Sequence, residues 1–418
     1  MTERLYWADA YLREFDAQIL EARPSGEGCQ VVLDRTAFYP TSGGQMHDTG
    51  LLAGLSVEDV VERDGDVVHF VRGHVTKGAT VHCALDWPRR FDFMQQHTAF
   101  HLLAQAFLRV AGAHTLSSHL GEEMSTLELD TAEVSQAVFD EVEDLANVVV
   151  WENRPVRTYI VQPEEARGLT LRKEPKVEGP VRLVEVEEFD LDPCSGTHVA
   201  ATGEVGLIKI VGKEKLRGHV RLRFLAGARA LRDFRRRVQT LDQLSAELTT
   251  GTEEILTAVQ KLRSQHQVAA KQLRAAQERF LEAIRGKVLA SSPRGLCLPS
   301  EELNGIEWAL VRKLAFQLLA DGVETVVMMQ SAPEVRIAVG TKRAGVDLRA
   351  LLPELCAMMG AKGGGRPDFV ELAGGDADRL ALATALLKTK VEGLTPGDAS
   401  SQPGSLAGGS QSNEKLSS

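Results

Sequence analysis

At 418 residues the chain is long enough for two or three domains, each with its own core, which excludes a single small module. Hydrophobic residues make up 43% and charged residues 25%, ordinary values for a globular protein, and no apolar run is long enough to cross a bilayer as a helix. The net charge of -10 disfavours a chain coated in nucleic acid throughout, so any such contact must rest on local runs. Five cysteines, at 29, 83, 194, 297 and 356, are an odd number with irregular spacing, which excludes a disulfide framework and fits a reducing compartment. The start, Met1-Thr-Glu-Arg-Leu-Tyr-Trp, lacks the basic and then apolar pattern of a leader, and a cytoplasmic location is expected.

Taken in chain order, residues 1–90 alternate in short segments broken by Gly, Asp and Pro, such as Gln30–Asp34, Val67–Val71 and Ala79–Leu85. That pattern predicts a small β-barrel-like domain. Residues 91–226 mix the two periods. Apolar positions around His97 recur at three and four, and Thr131 to Val148 reads as a second helix, while Thr126–Leu129 and Val181–Val186 read as strands. Asp192-Pro193 marks a turn just before Cys194. From Gly227 the helical period carries Leu231, Phe234, Val238, Leu241, Leu244 and Leu248, breaks at Thr249-Thr250-Gly251-Thr252, and resumes with Ile255, Val259 and Leu262 to about Ala290. An antiparallel helical hairpin over 227–290 follows, because neither arm alone buries its stripe. Ser291 to Ser300 reads as a linker into an α/β unit, the whole spanning 291–394, and residues 395–418, rich in Gly, Ser, Pro and Gln, are expected to be disordered. The fold class is α+β.

Chemistry concentrates in two strings, His97-Thr-Ala-Phe-His101 and Cys194-Ser-Gly-Thr-His198. On a helix, an i, i+4 pair shares one face, and together the strings offer imidazole and thiolate donors from two separate segments. Such donors suit Zn2+, whereas Mg2+ and Ca2+ want oxygen. We take His97, His101 and Cys194 as ligands, with His198 either a fourth ligand or a group just outside the shell. The helix lacks the glutamate of HExxH, which sets a zinc protease aside. A basic stripe from Lys209 to Arg237, opposed within its own stretch only by Glu214 and Asp233, reads equally as a phosphate-binding surface or as a solvated face. Upstream, Thr36-Ala-Phe-Tyr-Pro-Thr41-Ser-Gly43-Gly44-Gln45 combines glycines that admit a close ligand with hydroxyl and amide groups that position one.

In this order, Thr36 to Gln45, HxxxH and then Cys-x-Gly-Thr-His closely resemble the editing domain of alanyl-tRNA synthetases and their free-standing relatives. Ser195 stands where that family commonly has glycine. The likeness continues through His114-Thr-Leu-Ser-Ser-His119-Leu-Gly and Leu222-Arg-Phe-Leu-Ala-Gly227. It reaches Gly360-Ala-Lys362-Gly363-Gly364-Gly365-Arg366-Pro-Asp368 and Ala373-Gly-Gly375, similar to the glycine-rich signature of the DHHA1-type domain associated with tRNA binding. Because the chain begins almost at the editing unit, it is expected not to charge tRNA.

The resemblance implies hydrolysis of the ester of tRNA(Ala) mischarged with serine, and with glycine as a second substrate. A site shaped for alanine cannot strongly reject either one, whereas a second site that hydrogen-bonds the serine hydroxyl can. It implies one zinc ion per chain, a zinc-bound water and no assigned side-chain base. Thr36 is then the reader of the serine hydroxyl, with Thr41, Gly43, Gly44, Gln45 and His119 as further substrate contacts. Arg35, Arg217, Arg221, Lys362, Gly363, Gly364, Gly365 and Arg366 are the candidates for tRNA contact. A threonyl-type editing domain carries similar metal pairs, but the Phe-Tyr-Pro to Gly-Gly-Gln stretch favours alanine. A silent zinc-containing tRNA-binding protein is the rival from another class, and a homodimer through the hairpin or the C-terminal domain stays open.

Overall fold

A computed structural model describes residues 1–174, 179–216, 218–291 and 294–391, and the backbone of 394–396. The chain divides into two units, residues 1–247 and 248–418.

The first unit begins with six strands whose alternating residues point to one core: β1 (Glu14–Ser25), β2 (Gly28–Leu33), β3 (Gly50–Leu52), β4 (Leu55–Arg63), β5 (Asp66–Val71) and β6 (Thr80–Leu85). They close in the order β1-β2-β5-β4-β3-β6. Closure leaves no unpaired edge, and Val31, Leu33, Leu52, Val60, Val67 and Cys83 fill the interior.

Helix α1 (Trp87–Ala111) follows directly. The Asp86 side chain accepts from the Arg89 N–H, a proline stands in the first turn, and Gly112 at φ 62° ends the helix with its N–H on Leu108 and Phe107 carbonyls. Residues from Phe93 to Phe107 are buried on nearly every side, which makes α1 the central element of the unit. One buried pair fixes the barrel to it. Arg90, fully buried, binds Asp48 and the carbonyls of Ala37 and Ala10, while Asp48 accepts from the Tyr39 N–H at 2.6 Å. The loop from Thr36 to Asp48 is thereby tied to the helix that carries His97.

Around α1 lie β7 (Thr115–Leu120), β8 (Ser125–Leu129), α2 (Gln136–Trp151), β9 (Val156–Val161), β10 (Val181–Val186), β11 (Asp190–Pro193), β12 (Ile208–Leu216) and β13 (His219–Ala226). They form an antiparallel sheet β12-β13-β8-β7 and a three-stranded sheet β9-β10-β11. Two expectations need correction here. Helix α2 starts at Gln136 rather than Thr131, because Ser135 caps it by accepting from the Val138 N–H. Asp192-Pro193 is no turn but the end of β11, pairing with Leu183 and Val184; the reversal comes earlier, at Glu187–Phe189, with Glu188 at φ 54°.

Two long helices, α3 (Gly227–Leu248) and α4 (Ile255–Ser291), occupy the stretch read as a hairpin, and the boundary between the units falls at its break. In the second unit come β14 (Gly295–Leu298), α5 (Trp308–Ala320), β15 (Thr325–Gln330), β16 (Arg336–Thr341), α6 (Leu352–Met359), β17 (Lys362–Arg366), β18 (Phe369–Ala373), α7 (Leu380–Lys390) and β19 (Leu394–Pro396). The sheet runs β17-β18-β16-β15-β14-β19. The expected linker from Ser291 to Ser300 therefore contains a strand: Leu296, Cys297 and Leu298 are buried, and β14 lies between parallel neighbours β15 and β19. Leu394–Pro396 likewise carries strand into the start of the expected tail, whose residues 397–418 lie outside those described. Among the described residues, no helix is long and apolar enough to cross a membrane.

Candidate metal centre

His97 and His101 project from one face of α1, and the irregular segment from Cys194 to His198, directly after β11, brings the other two donors to them. Only the first pair is helical. One ligand atom from each of the four residues lies within 4.8 Å of all the others. Cys194 Sγ is 3.4 Å from Nε2 of both His97 and His198. Tetrahedral zinc with ordinary bond lengths separates its ligand atoms by about 3.3–3.6 Å. Cys194, His97 and His198 therefore already hold two of their pairwise distances at the spacing of a bound ion.

Each imidazole is held by its other nitrogen. His97 Nδ1 meets Gln45 Oε1 at 2.8 Å, His101 Nδ1 meets Asp190 Oδ2 at 2.9 Å, and His198 Nδ1 meets Thr98 Oγ1 at 3.1 Å. With Nδ1–H donating to these acceptors, Nε2 is the atom of each ring left to bind a metal, which on His101 requires loss of the proton that Asp190 and Cys194 favour. Asp190 is in turn bound by Arg172, which also reaches Asp192 at 2.6 Å. The ligand loop is fastened as firmly: Arg182 Nη1 donates to the carbonyls of Cys194 and Gly196, Trp7 Nε1 donates to the Ser195 carbonyl, and Gln45 Nε2 donates to Thr197 Oγ1. Gly196 is required by packing, since a Cβ there would stand 2.1 Å from His97 Cε1.

The electrostatics suit a cation. Burial opposes ionisation of Cys194, but His97, His198 and His101 outweigh it and hold the thiol well below its usual range. Burial also opposes protonation of His101, but Asp190 and Cys194 prevail and raise it to about 9. His198, by burial and the nearby His97 charge, is pushed down to about 3. Sulfur and imidazole donors with a thiolate among them fit zinc.

The other expected site residues divide by location. The Thr36–Gln45 stretch does meet the ligand loop: Gln45 is fully buried against His97 and Thr197, and a Cβ on Gly43 would lie 4.0 Å from Ser195 Oγ. Gln45 thus orients a ligand, with both ends of its amide engaged. Gly44 packs on Ser118 and its carbonyl accepts from the Leu120 N–H at 2.7 Å. Thr41 is exposed and bonded to His47. Thr36 is fully buried in the barrel wall; its hydroxyl donates to His69 Nε2 at 2.8 Å and accepts from the Phe38 N–H. His119 is exposed on β7, outside the cluster.

Of the expected phosphate contacts, Arg35 is exposed beside Asp34, and Arg217 lies outside the described residues. Arg221 is committed to Glu128. The basic stripe as a whole is largely neutralised: Lys209 pairs with Glu143, Lys215 with Glu133, Arg223 with Glu214, Arg229 with Asp92, and Arg236 and Arg237 with Asp233. Most of those acids come from other elements, which a local count of charge cannot see. Lys362 to Arg366 form an exposed edge strand, and Arg366 pairs with Asp368.

These features define a His/Cys cluster beside a β-barrel that could hold a metal ion, and two family models match parts of the chain. Residues 181–223 match the threonyl and alanyl tRNA synthetase second additional domain, and residues 10–89 match the class II (A) tRNA synthetases. The alanyl-tRNA editing protein AlaX-L of Pyrococcus horikoshii is 31% identical, the alignment covering 87% of this chain and 93% of that protein. The chain belongs to the alanyl-tRNA editing proteins. Aarsd1 of Danio rerio, another of that name, is 33% identical over 61% of this chain and 66% of its own length. An alanine–tRNA ligase of Korarchaeum cryptofilum is 32% identical over 94% of this chain, which spans only 45% of that ligase. The C-Ala domain of Aquifex aeolicus alanyl-tRNA synthetase is similar at 20% identity over 23% of this chain and 87% of that domain, with a TM-score of 0.21.

Asp190, Arg172, Thr98 and Arg182 escaped the sequence reading. The signal was present for Asp190, since Asp190-Leu-Asp192-Pro193 leads into Cys194, but the Asp-Pro pair suggested a turn.

Proposed function

We propose that this chain hydrolyses the ester of mischarged tRNA(Ala), Ser-tRNA(Ala) first and Gly-tRNA(Ala) second, with a zinc ion held by His97, His101, Cys194 and His198. The observation that carries the reading is the converging four-donor cluster, in a chain of the alanyl-tRNA editing family. When bound there, zinc supplies Lewis-acid polarisation of an ester and a positive anchor for the aminoacyl group. Four protein ligands leave that role open only if the coordination expands or one donor yields.

This chain's own residues do the rest. Gln45, Asp190 and Thr98 hold the three imidazole rings, so that little rearrangement is needed when metal binds. The turn Ser42–Gln45 stands against the ligand loop and forms the wall on which the aminoacyl end rests. Thr36 keeps one acceptor lone pair beside its bonds to His69 and the Phe38 N–H, but it is fully buried, so direct reading of a serine hydroxyl by Thr36 requires the barrel wall to open, whereas Thr41 is already exposed. Kinetics of Thr36→Val and Thr41→Val on Ser-tRNA(Ala) separate the two. Leu231, Phe234, Leu256 and Leu273, 49%, 61%, 69% and 60% exposed, support self-association along α3 and α4. The silent RNA-binding alternative is not favoured, because most of its basic stripe is paired with carboxylates.

The test is incubation of the zinc-loaded protein with Ser-, Gly- and Ala-tRNA(Ala). Release of serine and glycine with alanine spared is expected. Failure to release any of the three from a fully loaded protein overturns the proposal.

A further inference from the structure

A guanidinium taken out of water needs a counter-charge, and the first unit buries four of them. Arg90 is fully buried on Asp48, Arg229 is 3% exposed on Asp92, and the Arg172 side chain, 4% exposed, bridges Asp190 and Asp192. Arg182, 8% exposed, is different: among the described residues no carboxylate pairs with it. Its hydrogen bonds run from Nη1 alone, at 2.8 Å to the Cys194 carbonyl and 3.0 Å to the Gly196 carbonyl. Nε and Nη2 carry three further N–H donors with no described acceptor. Neither belongs to the fully buried unpaired polar atoms, which are Gln105 Oε1, Thr115 Oγ1, Ser125 Oγ and Asp192 Oδ1. Both therefore keep contact with solvent, on a side chain more than nine-tenths buried beside the metal-ligand loop.

A fixed, charged, partly desolvated fork with open donors is the arrangement that stabilises an oxyanion, because its dipoles need no reorganisation as charge develops. We propose that Arg182 is a catalytic residue whose free Nε–H and Nη2–H donors bind the carbonyl oxygen of the aminoacyl ester. This rests on the ester hydrolysis proposed above. As a water oxygen bonds to the ester carbon, the carbonyl π pair moves onto that oxygen, beside the guanidinium. When the pair returns, the bond from carbon to the ribose oxygen breaks, the ribose oxygen takes one water proton, and the amino acid leaves as its carboxylate with release of the other. Arg182 gives up no proton; it holds the oxygen through both stages.

Single-turnover and steady-state kinetics of Arg182→Lys and Arg182→Gln on Ser-tRNA(Ala), with zinc content and melting temperature measured on the same samples, test this. We expect one zinc per chain in each variant and KM within about threefold of the parent. We expect kcat to fall about 10-fold to 100-fold in Arg182→Lys, and on the order of 100-fold to 1000-fold in Arg182→Gln. Guanidinium ion added to Arg182→Gln should restore part of kcat without changing zinc content. Activity that falls only in proportion to lost zinc would make Arg182 a clamp of the Cys194 loop and overturn the proposal. So would full kcat in zinc-loaded Arg182→Gln. An inactive parent protein would instead remove the ester hydrolysis on which the proposal rests.

Discussion

The first unit buries the polar groups of its candidate site, whereas the second exposes those of its glycine-rich strand. Around the metal centre His97, His101, His198, Gln45 and Asp190 are all under 5% exposed, and glycine is there to let side chains converge. Gly196 gives its Cβ space to the His97 ring. In the second unit Lys362 to Arg366 are exposed throughout, and their glycines serve strand pairing: a Cβ on Gly365, at φ 151°, would lie 2.3 Å from the Phe369 carbonyl, and one on Gly363 2.9 Å from Leu372 Cγ. A glycine run thus says only that something comes close. What comes close, a ligand ring or a neighbouring strand, decides whether it marks chemistry.

The largest effect that can break this contrast is loss of a buried ligand. Cys194→Ala removes the one thiolate donor, and we expect zinc content near zero with deacylation of Ser-tRNA(Ala) lowered by about 1000-fold or more. A metal-free Cys194→Ala protein with parental activity would show that the buried cluster is not where the chemistry happens.

Next in size is a pH effect in the barrel wall. His69 is fully buried with its Nε2 accepting from Thr36 and its Nδ1–H donating to the Val31 carbonyl, and burial pushes its pKa down to about 4. The unfolded chain, with a pKa near 6.5, binds the proton first, so stability from the neutral ring is complete above that pH and is lost as pH falls. The loss should reach about 3 kcal/mol by pH 4. Urea unfolding of the parent against His69→Asn between pH 7 and 4 checks this: the difference in stability should shrink on acidification, and a constant difference would mean that the ring is not neutral in the fold.

Much of the first unit could be read from its residues, for physical reasons. The ligands declare themselves because imidazole and thiolate at i, i+4 spacing are rare in one chain without a metal. The β-rich start declares itself because β-branched and aromatic residues gather in short runs, such as Val31-Val32-Leu33 and Val67-Val68-His69-Phe70-Val71, broken by Gly and Asp. Other features depend on partners distant in sequence. The basic stripe looked free because Asp92, Glu128, Glu133 and Glu143 reach it from α1, β8, the segment before α2, and α2 itself. Gly295 to Leu298 looked like a linker because four residues are too few to show a period, and the burial comes from flanking parallel strands. The family resemblance implies Gln45 as a substrate contact beside Thr36; only the fold shows that its carbonyl meets His97.

Support of the ligands should show a smaller effect than their removal. Asp190→Asn keeps the shape of the side chain but weakens the acceptor for His101 Nδ1–H and leaves Arg172 without one of its two carboxylates. Zinc affinity, measured by competition with a chelator, should fall about 10-fold to 100-fold. An unchanged affinity would mean that His101 needs no orienting partner.

The smallest effect belongs to the displayed surface, and it sharpens the contrast most. Lys362 and Arg366 stand exposed at opposite ends of an edge strand, and Arg366 is shared with Asp368. If both touch phosphates of a tRNA, each contributes one screened charge, not a fixed geometry. Lys362→Ala and Arg366→Ala should then each weaken tRNA binding only about twofold to fivefold, equally for charged and uncharged tRNA, and should each lower the slope of log affinity against log salt by about one. Hydrolysis at saturating substrate should be unaffected, because nothing in that strand belongs to the metal centre. Loss of kcat in either variant would instead tie the exposed strand to the chemistry, and the division between a buried catalytic unit and an exposed binding unit would have to be abandoned.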